Sequence, residues 1–210
     1  MSPALIDAVL FDLGNVLVEW DPYRPYVGRF ERSDVEDFFA AIDFYAFNHE
    51  QDAGRTWAQA RAVLAERDDG QARMLDVYVE HFDAAVVGEL PGAAELVDDL
   101  LRTGTPAYGL TNWPAETFHV AGRNAPVVNR LRGVVVSGRE GIAKPDPRIY
   151  DLAAGRFGLD PARTLFVDDR AVNVDAAVER GFLGEVFGDH GTLRRRLRGL
   201  GVAVPDAAGA

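Results

Sequence analysis

Ile6-Asp7-Ala8-Val9-Leu10-Phe11-Asp12-Leu13-Gly14-Asn15 is the stretch that decides the fold. A short apolar run over residues 6–11 is closed by an acid and a glycine-containing turn, the pattern of a buried strand carrying an aspartate at its carboxyl end. Beyond Pro91-Gly92 strand and helix signals alternate. A helix over 93–102 is stopped by Thr103-Gly104, and a strand over 106–110 leads to Thr111-Asn112 and a helix opening at Pro114. Strands follow over 133–136, 164–167 and 183–187, and helices over 147–157, 172–180 and 192–198. Residues 202–210 read as a frayed tail. Such alternation predicts a parallel sheet with right-handed crossovers, whose ligands lie beyond the carboxyl ends of the strands. Three predicted strands deliver Asp12, Thr111-Asn112 and Asp168-Asp169 to that edge.

Between residues 22 and 88 the pattern is different. Phe38, Ile42, Tyr45, Trp57, Val63 and Leu64 recur at helical spacing, and turn signals stand at 52–54 and 68–70. No strand-like alternation stands out, so a small helical module is predicted there.

Composition narrows the chemistry. The chain has 210 residues, with 22 Lys+Arg against 33 Asp+Glu for a net charge of −11, and no cysteine. That excludes disulfides, thiol nucleophiles and Cys-ligated metal sites. The acidic balance speaks against a nucleic-acid partner, and the run Arg194, Arg195, Arg196 and Arg198 reads as a solvated helix end. Apolar runs are too short to span a bilayer, and residues 1–7 have no basic stretch leading into an apolar one. A soluble, cytoplasmic protein without a membrane partner is expected, its monomeric or dimeric state open. Serine occurs only at Ser2, Ser33 and Ser137, none in a Gly-x-Ser-x-Gly turn. Lys144 is the single lysine among 21 arginines, which marks a place that wants a compact ammonium instead of a planar fork.

Three carboxylates at one edge cannot all stay ionised without a cation, and a hard divalent ion, Mg²⁺, resolves this with oxygen ligands. A metal, a free carboxylate and one lysine suit phosphoryl transfer, with the carboxylate attacking phosphorus in line. Thr111 offers a hydroxyl, and the N–H groups around Asn112 and Trp113 are expected to open a helix that cradles phosphate.

These residues resemble the haloacid dehalogenase-like superfamily. Its motifs appear in order as Ala8-Val9-Leu10-Phe11-Asp12-Leu13-Gly14-Asn15-Val16-Leu17, Gly109-Leu110-Thr111-Asn112, Lys144-Pro145-Asp146-Pro147-Arg148-Ile149-Tyr150 and Leu165-Phe166-Val167-Asp168-Asp169. The resemblance implies an α/β fold: a Rossmann-like three-layer core with a parallel sheet, formed by residues 1–16 and 89–210, plus a helical cap domain inserted over 17–88. It implies Asp12 as nucleophile, Thr111 and Asn112 as phosphate ligands, and Lys144 as the cation bracing nucleophile and phosphate. Magnesium would be held by Asp12, the Gly14 carbonyl, Asp168 and Asp169. Most phosphatases of the superfamily carry a second aspartate two residues after the nucleophile, as general acid. Here Gly14 stands there, in a context similar to the glucose-1-phosphate phosphatase branch. Glu19, Asp21 and His49 are alternative proton donors. The activity implied is a magnesium-dependent phosphatase acting on a small phosphorylated metabolite such as a sugar phosphate. The alternatives are a 2-haloacid dehalogenase, which needs no metal, and a catalytically impaired phosphate- or partner-binding protein. The histidines 49, 81, 119 and 190 are scattered and read as surface or cap residues. Phe38, Phe39, Phe44, Tyr45 and Phe47 read mostly as cap core; Trp20 and Trp113 read as packing residues, with substrate contact as the alternative, and Arg24 as able to reach a sugar or a second phosphate.

Overall fold

Strand β1 (Ala8–Phe11) is buried on both faces, and its alternating side chains divide the protein's interior in two. Val9 and Phe11 join one apolar cluster and Leu10 another. The computed structural model describes residues 5–205. After β1 the chain makes a short strand β2 (Val18–Trp20) and then five helices: α1 (Arg32–Ile42), α2 (Phe44–Asp52), α3 (Trp57–Ala65), α4 (Asp69–Glu80) and α5 (Phe82–Ala85). Strand β3 (Val86–Glu89) returns to pair antiparallel with β2. The rest runs α6 (Ala93–Arg102), β4 (Ala107–Thr111), α7 (His119–Asn124), β5 (Val134–Val136), α8 (Ser137–Glu140) and α9 (Pro147–Phe157). It closes with β6 (Thr164–Asp168), α10 (Ala171–Glu179), β7 (Leu183–Val186) and α11 (His190–Gly199).

Five strands form one parallel sheet in the order β5-β4-β1-β6-β7. Leu96, Val97 and Leu100 of α6 and Leu193 and Leu197 of α11 pack with Val9 and Phe11. On the other face Ile149, Tyr150 and Ala153 of α9 and Val174 and Ala177 of α10 pack with Leu10 and Phe166. This is the parallel sheet that the strand–helix alternation predicts, within the three-layer α/β core that the resemblance implies. Helix α9 shows how local signals set its limits: the Asp146 side chain accepts from the Arg148 N–H, Pro147 occupies the first turn, and Gly158 ends the helix at φ +63°. No helix among the described residues is long and apolar enough to cross a membrane.

Four expectations are corrected. The ribbon of β2 and β3 lies where only helices are predicted, because three and four residues, one of them Gly88, are too few to display alternation. No helix opens at Pro114: residues 115–118 are turns and α7 starts at His119. The Trp113 N–H donates to Ser137 Oγ at 2.9 Å, and its carbonyl accepts from Gly138 N–H at 3.1 Å. Gly138 permits that approach, since a Cβ there would stand 2.5 Å from the Ala115 nitrogen. The start of the tail is not frayed, because Val202 and Val204 are buried in the core. Residues 206–210 of that predicted tail lie outside the described residues. Finally, Arg194 is not part of a solvated helix end. It is buried, pairs with Asp99 at 2.5 Å, and donates to the Pro205 carbonyl.

Asp99 also pairs with the exposed Arg102 at 2.5 Å, so the charge that can be stranded is the buried Arg194. Asp99→Leu is expected to lower stability by about 3–5 kcal/mol, and the double change with Arg194→Leu to recover most of it. Urea unfolding of both variants measures this, and a loss under about 1 kcal/mol in Asp99→Leu would show that the pair is effectively solvated.

Candidate active site

The parallel register places the ends of β1, β4 and β6 side by side, so Asp12, Thr111 and Asp168 emerge at one edge. Lys144 reaches them from the loop before α9 and is completely buried. Its Nζ lies 3.0 Å from Asp12 Oδ1 and 2.6 Å from Asp168 Oδ2, and donates to the Leu110 carbonyl at 2.9 Å. Burial pushes the lysine pKa down, but the carboxylates of Asp12 and Asp168 outweigh it and hold the group above its ordinary value, as a firm ammonium.

Asp168 is wholly enclosed. Besides Lys144 it accepts from the Arg170 N–H at 2.9 Å and from Asn173 Nδ2 at 3.0 and 3.1 Å. Asp12 is oriented by the Leu13 N–H at 2.7 Å, and burial lifts its carboxyl above the usual range despite the pull of Lys144. Asp169 is half-buried. Burial, then the charge of Asp168, raises its pKa, while the Asn15 side chain bonded to it pulls the other way. Asn15 adopts the left-handed region at φ 55°, which asparagine tolerates better than most residues, and that conformation shapes the turn after Asp12. Oxygens of Asp12, Asp168 and Asp169 all lie within 4.8 Å of one another.

The predicted phosphate ligands take different parts. Thr111 Oγ is buried without a hydrogen-bond partner, a free donor at the edge of the sheet. The Asn112 amide is instead committed to the main chain of Lys144: Nδ2 donates to its carbonyl at 2.9 Å, and Oδ1 accepts from its N–H at 2.8 Å. It fixes the lysine loop. With the Trp113 N–H bonded to Ser137 and no helix opening there, the expected helix-end cradle at Asn112-Trp113 is absent.

A cavity of about 680 Å³ opens above these groups. Asp12, Gly14, Asn112 and Asp169 line its floor, and Trp20, Tyr45, Tyr78, Phe82 and Trp113 supply aromatic surface. Much of that wall comes from the segment between β1 and β3. His49 and Asp52 of α2 also line it. Glu19, Asp21 and Arg24 do not, and Arg24 faces Asp21 at 3.8 Å. His190 is no surface residue either: it is buried at the start of α11 against Gly92 and Phe187, and burial lowers its pKa. Asn15, Asp52, Arg170 and Asn173 escape sequence reasoning as site residues, since each is an ordinary polar residue until the fold sets it at the cavity.

Residues 6–181 match the profile of the haloacid dehalogenase-like hydrolases. Among curated proteins, the chain is 27% identical over 186 residues to a sesquiterpene phosphatase of Aspergillus oryzae, covering 84% of this chain and 87% of that protein. It is 28% identical over 131 residues to (S)-2-haloacid dehalogenase 4A of Burkholderia cepacia, covering 62% and 54%. A solved HAD family enzyme of Bacteroides thetaiotaomicron, in complex with magnesium and inorganic phosphate, superposes with a TM-score of 0.68 at 24% identity, over 90% of this chain and 98% of that one.

Proposed function

Because the chain belongs to the haloacid dehalogenase-like hydrolases, we propose that it is a Mg²⁺-dependent phosphatase acting on a small phosphorylated metabolite, with Asp12 as the nucleophile. The observation that carries this reading is the buried Lys144 ammonium clamped between Asp12 and Asp168, with a third carboxylate, Asp169, at the same point. One ammonium balances one of three acids, and the burial that raises Asp12 and Asp169 is relieved by a divalent cation. An all-oxygen donor set suits magnesium. Asp12, Asp169 and the Gly14 carbonyl are the groups with access to it, and Asp168, whose oxygens are already engaged, supports the site through Lys144 and Asn173. Magnesium, when bound, would neutralise charge on the transferring phosphoryl group.

The chain's own residues supply the rest. Asp12, aimed by Leu13 and Lys144, attacks phosphorus to form an aspartyl-phosphate, and water then hydrolyses it. Lys144 and the unpartnered Thr111 hydroxyl face the phosphoryl oxygens. Residues 17–88 act as the cap, excluding bulk water and bulky substrates. The aromatic wall favours a phosphomonoester whose body offers apolar or ring faces. A sugar phosphate, the class expected from the motif context, is the most polar body that such a wall would stack.

The dehalogenase relative motivates a second reading, in which Asp12 attacks a carbon bearing halide. A haloacid's carboxylate would then have to settle beside Asp12, Asp168 and Asp169, where Lys144 is already shared by two of them. Phosphate release from p-nitrophenyl phosphate, glucose 1-phosphate and a prenyl monophosphate, with Mg²⁺ or EDTA, separates the readings. The expected result is release that EDTA abolishes, strongest for bodies with apolar faces. Halide release from 2-chloropropionate in EDTA, without phosphate release, would instead establish the dehalogenase.

A further inference from the structure

The turn after Asp12 carries no side chain that could protonate a leaving oxygen, because position 14 is glycine. The space for one exists: a Cβ built at Gly14 meets nothing within 4 Å, and the residue borders the cavity. Three acidic residues line that cavity, Asp12, Asp52 and Asp169. The first and third belong to the nucleophile and metal cluster. Asp52 reaches the same cavity from the helical segment, as the last residue of α2. We propose, resting on the phosphatase reading above, that Asp52 is the general acid and base of this enzyme, taking over from the helical segment the role that the turn residue cannot perform.

Packing holds Asp52 in place. Two residues on, Gly54 sits at φ +104° against the α/β body, where a Cβ would meet Gly141 Cα at 3.2 Å. The Trp57 N–H donates to Glu116 of the same body at 2.8 Å. Arg55 closes the turn onto the Phe47 carbonyl at 2.9 Å and onto Gln51 Oε1. The segment that follows α2 is therefore tied to the α/β body at two points, and Asp52 is held at the cavity that Asp12 lines.

Its surroundings keep the proton available. The carboxyl is 8% exposed and accepts a long hydrogen bond, 3.4 Å, from Asn48 Nδ2. An amide carries both donor and acceptor, and Asn48 Oδ1 is otherwise unpartnered, so Asn48 suits either protonation state of its neighbour. Around the cavity stand Asp12, Asp169, His49, Tyr45, Tyr78 and Arg170, with Lys144 below. The lysine is held by two other carboxylates, and Arg55 faces back along α2. Burial, then the negative charge of Asp12, pushes Asp52 up to about 7. A pKa near the working pH is what proton transfer in both directions needs.

The steps balance. As Asp12 Oδ bonds to phosphorus, the bond from phosphorus to the leaving oxygen breaks, and that oxygen takes the Asp52 proton. In the second half, the Asp52 carboxylate takes a proton from the water whose oxygen bonds to phosphorus. The bond between phosphorus and Asp12 breaks, Asp12 recovers its carboxylate, and orthophosphate is released.

The test compares benzyl phosphate, whose alkoxide needs a proton to depart, with p-nitrophenyl phosphate, whose phenolate does not. Asp52→Asn should lower kcat/KM on benzyl phosphate, which reports the first half-reaction, by about 10²–10⁴-fold, and kcat/KM on p-nitrophenyl phosphate by at least tenfold less. Steady-state kcat on p-nitrophenyl phosphate should also fall, because the base of the second half-reaction is gone, and a burst of p-nitrophenol before that slow phase shows that the variant is folded. Equal losses of kcat/KM on both substrates, or no loss on benzyl phosphate, overturn the proposal. A series of substituted phenyl phosphates on the unaltered enzyme gives an independent reading. A shallow dependence of rate on leaving-group basicity supports a proton donor, and a steep one overturns it. If the unaltered enzyme releases no phosphate from any of these substrates, the phosphatase reading itself has failed, and this proposal falls with it.

Discussion

Asp12→Asn should leave the protein folded and reduce phosphate release by roughly 10⁴–10⁶-fold, the loss typical of removing a covalent nucleophile. The amide keeps the volume of the carboxylate and can still accept from Lys144 and from the Leu13 N–H, which lie 3.0 and 2.7 Å from Oδ1. What it lacks is the charge needed to attack phosphorus and to complete the divalent site. Acid-quenched turnover with mass mapping supplies the direct check: the unaltered chain should carry a phosphoryl group on the peptide containing Asp12, and the variant should not. Full activity in Asp12→Asn would sink the assignment of the nucleophile.

Lys144→Met should disable the site and also weaken the fold, and the two effects can be separated. Without the ammonium, Asp12 and Asp168 face each other beneath the cavity with no positive partner, and an uncompensated buried charge costs about 3–5 kcal/mol. The sign of the pH dependence follows. In the variant the folded-state carboxyl pKa values rise above their unfolded values, so the stability deficit is largest at neutral pH. It shrinks as pH falls and one carboxyl takes up a proton. In the unaltered protein burial already raises Asp12, and the folded pKa of the lysine is raised as well. That contribution is complete below the unfolded lysine pKa and is lost only as pH rises through the folded value. Urea unfolding of both forms between acidic and alkaline pH reads these slopes. A deficit that does not change with pH would contradict the charge argument. Lys144→Arg should not rescue activity, because a planar fork does not fit a fully enclosed position bonded to Leu110, Asp12 and Asp168 at once.

Most of the fold is legible in the sequence because its signals are local. Apolar runs closed by glycine mark strands enclosed by helices, and the limits of α6 and α9 can be read from Thr103-Gly104 and from Asp146-Pro147 with Gly158. Misreadings occur where a distant partner overrides a local signal. Pro114 advertises a helix start, but bonds between Trp113 and residues 137–138 draw the chain into turns. Arg194 belongs to a basic run by sequence, yet Asp99 lies 95 positions away and draws it inside. Strands β2 and β3 have little periodicity, and form because each supplies the other's hydrogen bonds.

For the candidate site, residue types read along the chain already name the available groups: a carboxylate at the end of the first strand, a glycine two positions after it, one lysine and a pair of acids. These follow from residue type and from the rule that a parallel sheet gathers the carboxyl ends of its strands. How those groups are arranged depends on contacts between distant segments. They commit the Asn112 amide to the Lys144 loop, engage both oxygens of Asp168, and bring Asp52 to the cavity that Asp12 lines. The physical reason is that a hydrogen bond or a desolvated carboxyl depends on which atoms lie a few ångströms away. Lys144 stands 32 residues from Asn112 and 24 from Asp168, and a local stretch of sequence says nothing about the approach of such segments.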